Sequence, residues 1–135
     1  MIAVNPTDVP SPFGDYSHAV LAGSLLVPSG QLAVTEGEPV PNDVGRQAEI
    51  CFEHIRRILY AVDMGFEHVI RFNAYVTRRE HMPLYMEARD RVLSHLTVKP
   101  ASTLMIVSGF TRAEFLVEVE AMALRGISTD SQSRS

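Results

Sequence analysis

The segment from Val44 to Val62 constrains the fold of this chain more than any other. Apolar side chains recur at Val44, Ala48, Cys51, Ile55, Ile58, Leu59 and Val62, at spacings of 4, 3, 4, 3, 1 and 3 residues. That is the period of one helical face sustained over five turns. Arg46, Glu49, Glu53, Arg56 and Arg57 fall on the other faces. Asn42 suits the N-cap and Gly65 the C-terminal stop. A helix with a single apolar stripe must bury it against another layer, so the rest of the chain has to supply one.

That layer reads as a sheet. His68–Thr77 is rich in Val, Ile, Phe and Tyr, as a strand is. A second helix is expected from near Pro83 to about Leu96, with Tyr85, Ala88, Val92 and Leu96 as its buried stripe, and Pro100 closes the segment. Ser102–Val107 and Phe115–Leu124 read as two further strands, joined through the Ser108-Gly109 turn region. Before the long helix, His18–Ala22 and Ser24–Val27 flank Gly23 in a hairpin-like pattern, with a Ser29-Gly30 turn after it. Residues 5–16 carry Pro6, Pro10, Pro12 and Gly14 and read as an irregular lead-in; residues 35–43 read as a loop. The order is ββ, helix, β, helix, ββ, an α+β domain over residues 1–127 with a polar, disordered tail at 128–135. Both helices cover one face of a mixed sheet. Nothing is left to cover the other, which points to self-association.

Composition narrows the function classes. Net charge is −4, and the eleven Arg and one Lys are scattered in pairs at most, which argues against a nucleic-acid partner. The lone Lys99 is the only candidate for a Schiff base, and it lies in a loop before Pro100. Five well-separated His and a single Cys51 on the apolar stripe give no metal-ligand spacing. The N-terminus has no signal-peptide pattern and no apolar run is long enough to span a membrane, so a cytoplasmic protein is the default expectation.

Several residues have both a plain and a chemical reading. Glu118 and Glu120 alternate with Val117, Val119 and Ala121, so both carboxylates share one strand face. They are either solvated charges or a cleft acid and its neighbour, one of which has a raised pKa. Tyr16, after Gly14-Asp15, either packs its ring or donates a hydrogen bond. Ser29-Gly30 is a turn, or a backbone N–H bared by the missing side chain of Gly30. Ser102 and Thr103 are strand residues or ligand donors, and Arg78-Arg79 and Arg89-Arg91 read as solvated charges.

Taken in order, these stretches resemble the Rid (YjgF-type) family, also called endoribonuclease L-PSP. Gly14-Asp15-Tyr16-Ser17-His18-Ala19-Val20 is similar to its G-P-Y-S-x-A-V segment, and Ser29-Gly30-Gln31 to its S-G-Q turn. Asp43 and Gln47 open the first helix as in the family. Pro100-Ala101 matches the start of its P-A-R segment and Val117–Ala121 its V-E-I-E-A strand. The resemblance implies a chorismate-mutase-like fold and a homotrimer with ligand clefts between subunits. It also implies hydrolysis of reactive enamines and imines to a keto acid and ammonia, with no metal or organic cofactor. On this basis Glu118 is the expected catalytic residue, and Tyr16, Ser29, Gly30, Met86 and Ser102 the expected ligand-binding residues. Ser102 stands where the deaminating members carry a carboxylate-binding Arg, Leu104 where they often have Cys, and Met86 where a cleft Asn lies. The expectation is therefore a deaminase for a substrate other than a simple 2-imino acid, or else a non-catalytic metabolite-binding or regulatory trimer. Arg78, Arg79, Arg89, Arg91 and Arg112 are left as possible replacements for the missing guanidinium.

Overall fold

A computed structural model describes residues 1–126; the segment expected to form a tail lies outside the described residues. Its strands are β1 (Ile2–Val4), β2 (Ala19–Ala22), β3 (Leu25–Pro28), β4 (Val69–Val76), β5 (Ala101–Ile106) and β6 (Val117–Leu124). The helices are α1 (Val44–Tyr60) and α2 (His81–Val92), with a 3-10 turn at Phe66–His68. They form one six-stranded mixed sheet in the order β1-β2-β3-β6-β4-β5. All pairings are antiparallel except β4–β5, which the crossover through α2 makes parallel.

The apolar stripe of α1 is buried, with Ala48, Cys51, Ile55, Ile58 and Leu59 fully enclosed. Asp43, not Asn42, caps the helix: its Oδ1 accepts the Gly45 N–H at 3.1 Å. The helix also ends sooner than Gly65. Ala61 is its C-cap, the chain reverses through Asp63 at a φ of 61°, and Gly65 instead precedes the 3-10 turn. The second helix starts two residues before Pro83 and stops at Val92. Tyr85 and Ala88 are buried as expected, Val92 only partly, and Leu96 is buried beyond the helix end. Phe52 is the hinge of the core, edge-on to Phe72 at 5.2 Å and stacked on Tyr85 at 5.9 Å.

Two expectations are corrected. Residues 2–4 form a strand, because Val4, paired with Ala19, extends the sheet edge and buries its side chain. The last two strands are not neighbours: β4 lies between them, since the connection through residues 107–116 carries the chain past β4 to its far side. The face away from the helices stays open, exposing Val27 and Met105 beside half-buried Met122 and Leu124. Among the described residues no helix is long and apolar enough to cross a membrane.

Candidate functional site

The pleat of β6 sends Val117, Val119, Ala121 and Ala123 under the helices and Glu118, Glu120 and Met122 to the open face. On that face β4 presents Tyr75 opposite Glu118, Asn73 opposite Glu120 and Arg71 opposite Met122. Tyr75 Oη donates to Glu120 Oε1 at 2.6 Å and Asn73 Nδ2 to the same oxygen at 3.3 Å. Arg71 Nη1 donates to Asn73 Oδ1 at 3.1 Å and Thr103 Oγ1 at 2.6 Å. Glu120 is thus a held acceptor, and its bond and burial push the Tyr75 phenol up to about 12.

Glu118 differs from its neighbour. Among the described residues it takes part in none of these bonds and has no ion-pair partner. Burial, with the charge of Glu120 adding to it, raises its carboxyl above the usual range. Gly30 is the reason it can sit where it does. A Cβ there would lie 2.7 Å from Glu118 Cδ and 2.9 Å from Oε2, so only glycine leaves the carboxyl its place.

The loop around Gly30 is fixed from both sides. Ser29 N–H donates to the His18 carbonyl and Gln31 N–H to the Val119 carbonyl, both at 2.7 Å. The Gly30 N–H between them has no backbone acceptor among the described residues. The Ser29 hydroxyl donates to the Ser17 carbonyl at 2.7 Å, so it builds the loop. Tyr16 is half exposed, its hydroxyl accepting the Phe13 N–H at 3.3 Å, and it lines a small cavity together with His18, Gly30 and Gln31. Gly30 therefore meets Glu118 through its missing side chain and shares a cavity with Tyr16.

Ser102 belongs to a second group. It pairs with Phe72, whose ring is in the core, so it faces the helix layer while Glu118 faces away from it. Arg89 Nη1 approaches Ser102 Oγ at 3.4 Å, and Met86 lies one turn earlier on α2. Within one chain these two groups lie on opposite faces of the sheet. Arg89 is not the solvated charge expected: its side chain is only 23% exposed. Arg78 is paired with Glu80, and Arg112 with Glu114 while lying over the Phe115 ring. Lys99 Nζ donates to the carbonyls of Leu93 and Leu96, at 2.8 and 2.7 Å, and holds the turn after α2.

The open-face network was missed in the sequence, although Arg71, Asn73 and Tyr75 alternate in an otherwise apolar strand and so carried a signal. A larger cavity, about 480 Å³, lies on the helical layer against Phe52, Phe66 and Val92. Its Glu49 and Glu53 already pair with Arg91 and Arg56, and none of the expected site residues lines it.

A model of the endoribonuclease L-PSP family matches residues 6–125. Protein DfrA of Myxococcus xanthus is 30% identical over 126 residues, covering 90% of this chain and 94% of that protein. The putative reactive intermediate deaminase TdcF of Escherichia coli is 26% identical over 119 residues, covering 86% and 91%. The crystal structure of E. coli TdcF with bound serine matches with a TM-score of 0.87 at 22% identity, covering 93% of this chain and all of that one. The E. coli YjgF gene product matches with the same TM-score at 20% identity and the same coverage.

Proposed function

The chain belongs to the endoribonuclease L-PSP family, and from that premise we propose that it hydrolyses small enamines or imines, releasing ammonia, in clefts between the subunits of a homotrimer. The observation that carries this reading is Glu118: a carboxyl with a raised pKa and no bonding partner among the described residues, held against Gly30, which also lines the cavity of Tyr16. A poised acid of this kind suits both halves of the reaction. Protonated Glu118 gives its proton to the enamine carbon and leaves an iminium. The carboxylate then takes a proton from water as the oxygen adds to the C=N carbon. Returning that proton to nitrogen breaks the C–N bond as the hydroxyl proton passes back to the carboxylate and the C=O forms; one water is consumed, ammonia and a carbonyl compound leave, and Glu118 is protonated again. The Gly30 N–H and the Tyr16 hydroxyl are the donors proposed to hold the ligand oxygens, Ser29 keeps their loop in place, and Met86 and Ser102 wall the cleft from a neighbouring copy.

The E. coli relative named as a reactive intermediate deaminase, whose crystal structure is described with bound serine, supports a small polar ligand. Ser102 offers one neutral hydroxyl where the deaminating members carry an Arg, and the cation beside it, Arg89, enters from α2 with one edge already on Asp90, so a simple 2-imino acid is not the expected substrate. Ser102 also favours a second reading, a metabolite-binding or regulatory trimer without catalysis. Timing ammonia release across a panel of enamines separates the two. We expect turnover of at least one member, slow turnover of 2-aminoacrylate, and a loss of about 100-fold or more in Glu118→Gln. Equal rates for wild type and Glu118→Gln would remove the hydrolase reading.

A further inference from the structure

Glu118 and Glu120 share the open face of β6, yet among the described residues only Glu120 is bonded. In register Tyr75 lies opposite Glu118 and Asn73 opposite Glu120. The Tyr75 hydroxyl nevertheless reaches diagonally, to Glu120 Oε1 at 2.6 Å, and Asn73 Nδ2 adds a second donor at 3.3 Å. Diagonal neighbours on a sheet lie within reach of an aromatic side chain. A phenol has one proton to donate, and its direction is what leaves Glu118 without a bond.

The direction is set from further along β4. Arg71 has donors only, and its Nη1 lies 3.1 Å from Asn73 Oδ1 and 2.6 Å from Thr103 Oγ1. The Asn73 oxygen is thereby turned to Arg71 and its amino group to Glu120. A hydrogen-bonded row from β5 through β4 to β6 thus ends on one oxygen of Glu120. Both donors on that oxygen are neutral, and Glu120 has no ion pair among the described residues. Neutral donors hold a carboxylate in place without cancelling its charge. Residues two apart on a strand are roughly 7 Å apart, so this charge acts on the half-buried Glu118. The groups that meet Glu118 from other elements are uncharged at neutral pH. Gly30 has no side chain, the Tyr75 phenol is pushed up to about 12 by its bond to Glu120, and burial pushes up the Cys51 thiol, which bonds to β6 from α1. Arg71 stands opposite Met122, one pair beyond Asn73 and Glu120.

We propose that Glu120, pinned by Tyr75 and Asn73, is a positioning residue for the reaction at Glu118. It stands beside Glu118 as a fixed like charge, and so makes Glu118, of the two strand carboxyls, the one that carries and gives the proton. The inference rests on the hydrolase reading for the use made of that proton, not for where the proton sits. Glu118 must start protonated, so kcat/KM falls as pH rises through its midpoint. Removing the charge of Glu120 lowers that midpoint, and the fall then comes at lower pH.

Carbon-13 NMR of the glutamate carboxyls, with the Glu118 signal assigned by its loss in Glu118→Gln, reads the midpoint with no substrate present. Three variants separate charge from shape. Glu120→Gln keeps the length, and an oxygen for the Tyr75 hydroxyl, but no charge; the Glu118 midpoint is expected to drop toward the ordinary carboxylate range. Glu120→Asp keeps the charge on a shorter arm and should hold the midpoint near its wild-type place. Tyr75→Phe unpins Glu120 and should lower the midpoint by less than Glu120→Gln does. On the enamine that wild type turns over fastest, the alkaline fall of kcat/KM should move with the NMR midpoint in each variant. A role in packing alone would change stability and leave the midpoint where it is. A midpoint that Glu120→Gln or Tyr75→Phe leaves in place, or that Glu120→Asp lowers as far as Glu120→Gln does, overturns the proposal. The two proposals fail separately. If no enamine releases ammonia while the midpoint still follows the charge at position 120, hydrolysis is lost and the positioning of the proton stands. If enamines are turned over while the midpoint ignores Glu120, only the positioning role falls.

Discussion

At the scale of single residues, the pair Gly30–Glu118 carries most of the account. Gly30→Ala puts a methyl group where the carboxyl now sits, and the flexible end of Glu118 is what must move. The expected result is at least about a tenfold loss of turnover, because a displaced acid no longer meets the proton it transfers. Unfolding stability should change by less than about 1 kcal/mol, since a side-chain shift relieves the contact; ammonia-release kinetics beside a urea melt check both halves. The raised pKa of Glu118 has its own signature. The folded chain holds this proton more tightly than the unfolded chain does. Its contribution to stability is therefore full below the ordinary carboxylate range and disappears as pH rises through the raised value. Glu118→Gln should accordingly melt above wild type at about pH 8, with the gap closing by about pH 4; a gap that widens in acid would contradict the burial argument. The sequence showed that Glu118 and Glu120 share a face, because strand alternation fixes that much. It did not show which of the two is free. That depends on Tyr75 and Asn73, more than forty residues earlier in the chain, both bonding to Glu120, and on a loop crossing at Gly30.

At the scale of elements, α1 is tied to the strand carrying Glu118 through Gln47. This side chain is fully buried, and all of its main bonds are to backbone. Nε2 donates to the carbonyls of Pro41 at 2.7 Å and Glu114 at 2.9 Å, and Oε1 accepts the Leu116 N–H at 2.9 Å. Gln47→Leu keeps the volume but strands an N–H and two carbonyls, so it should cost about 2–4 kcal/mol, read from denaturant unfolding at neutral pH. A change under about 0.5 kcal/mol would mean that water replaces the amide. Both helices were legible in the sequence because their stripes span several turns. Their ends were less so. Asp43 and Asn42 are equally good caps by type, and only the chain's direction into the helix selects Asp43. Pairing was harder still: Phe115–Leu124 reads as a strand in isolation, yet its place between β3 and β4 follows from contacts far apart in sequence.

At the scale of the molecule, one chain holds two incomplete groups. Gly30 and Glu118 lie together; Ser102 and Arg89 lie across the sheet from Glu118, on the helix side of its free edge at β5. The open face, with Val27 and Met105 exposed, is the surface on which copies would associate. Sedimentation should give a species of about 45 kDa, a trimer of 15.0 kDa chains. The claim that two copies complete each cleft has a more direct test in subunit mixing. Glu118→Gln disables one half, and Ser102→Trp fills the other from an edge strand that tolerates a large ring. Each variant alone should be nearly inactive on the enamine that wild type turns over fastest. Unfolded together in equal amounts and refolded, they should regain activity in about a quarter of the clefts, those that draw both halves from unaltered copies. Activity of the mixture no greater than that of the two variants assayed apart would contradict the account, because it would place the whole reaction within a single chain.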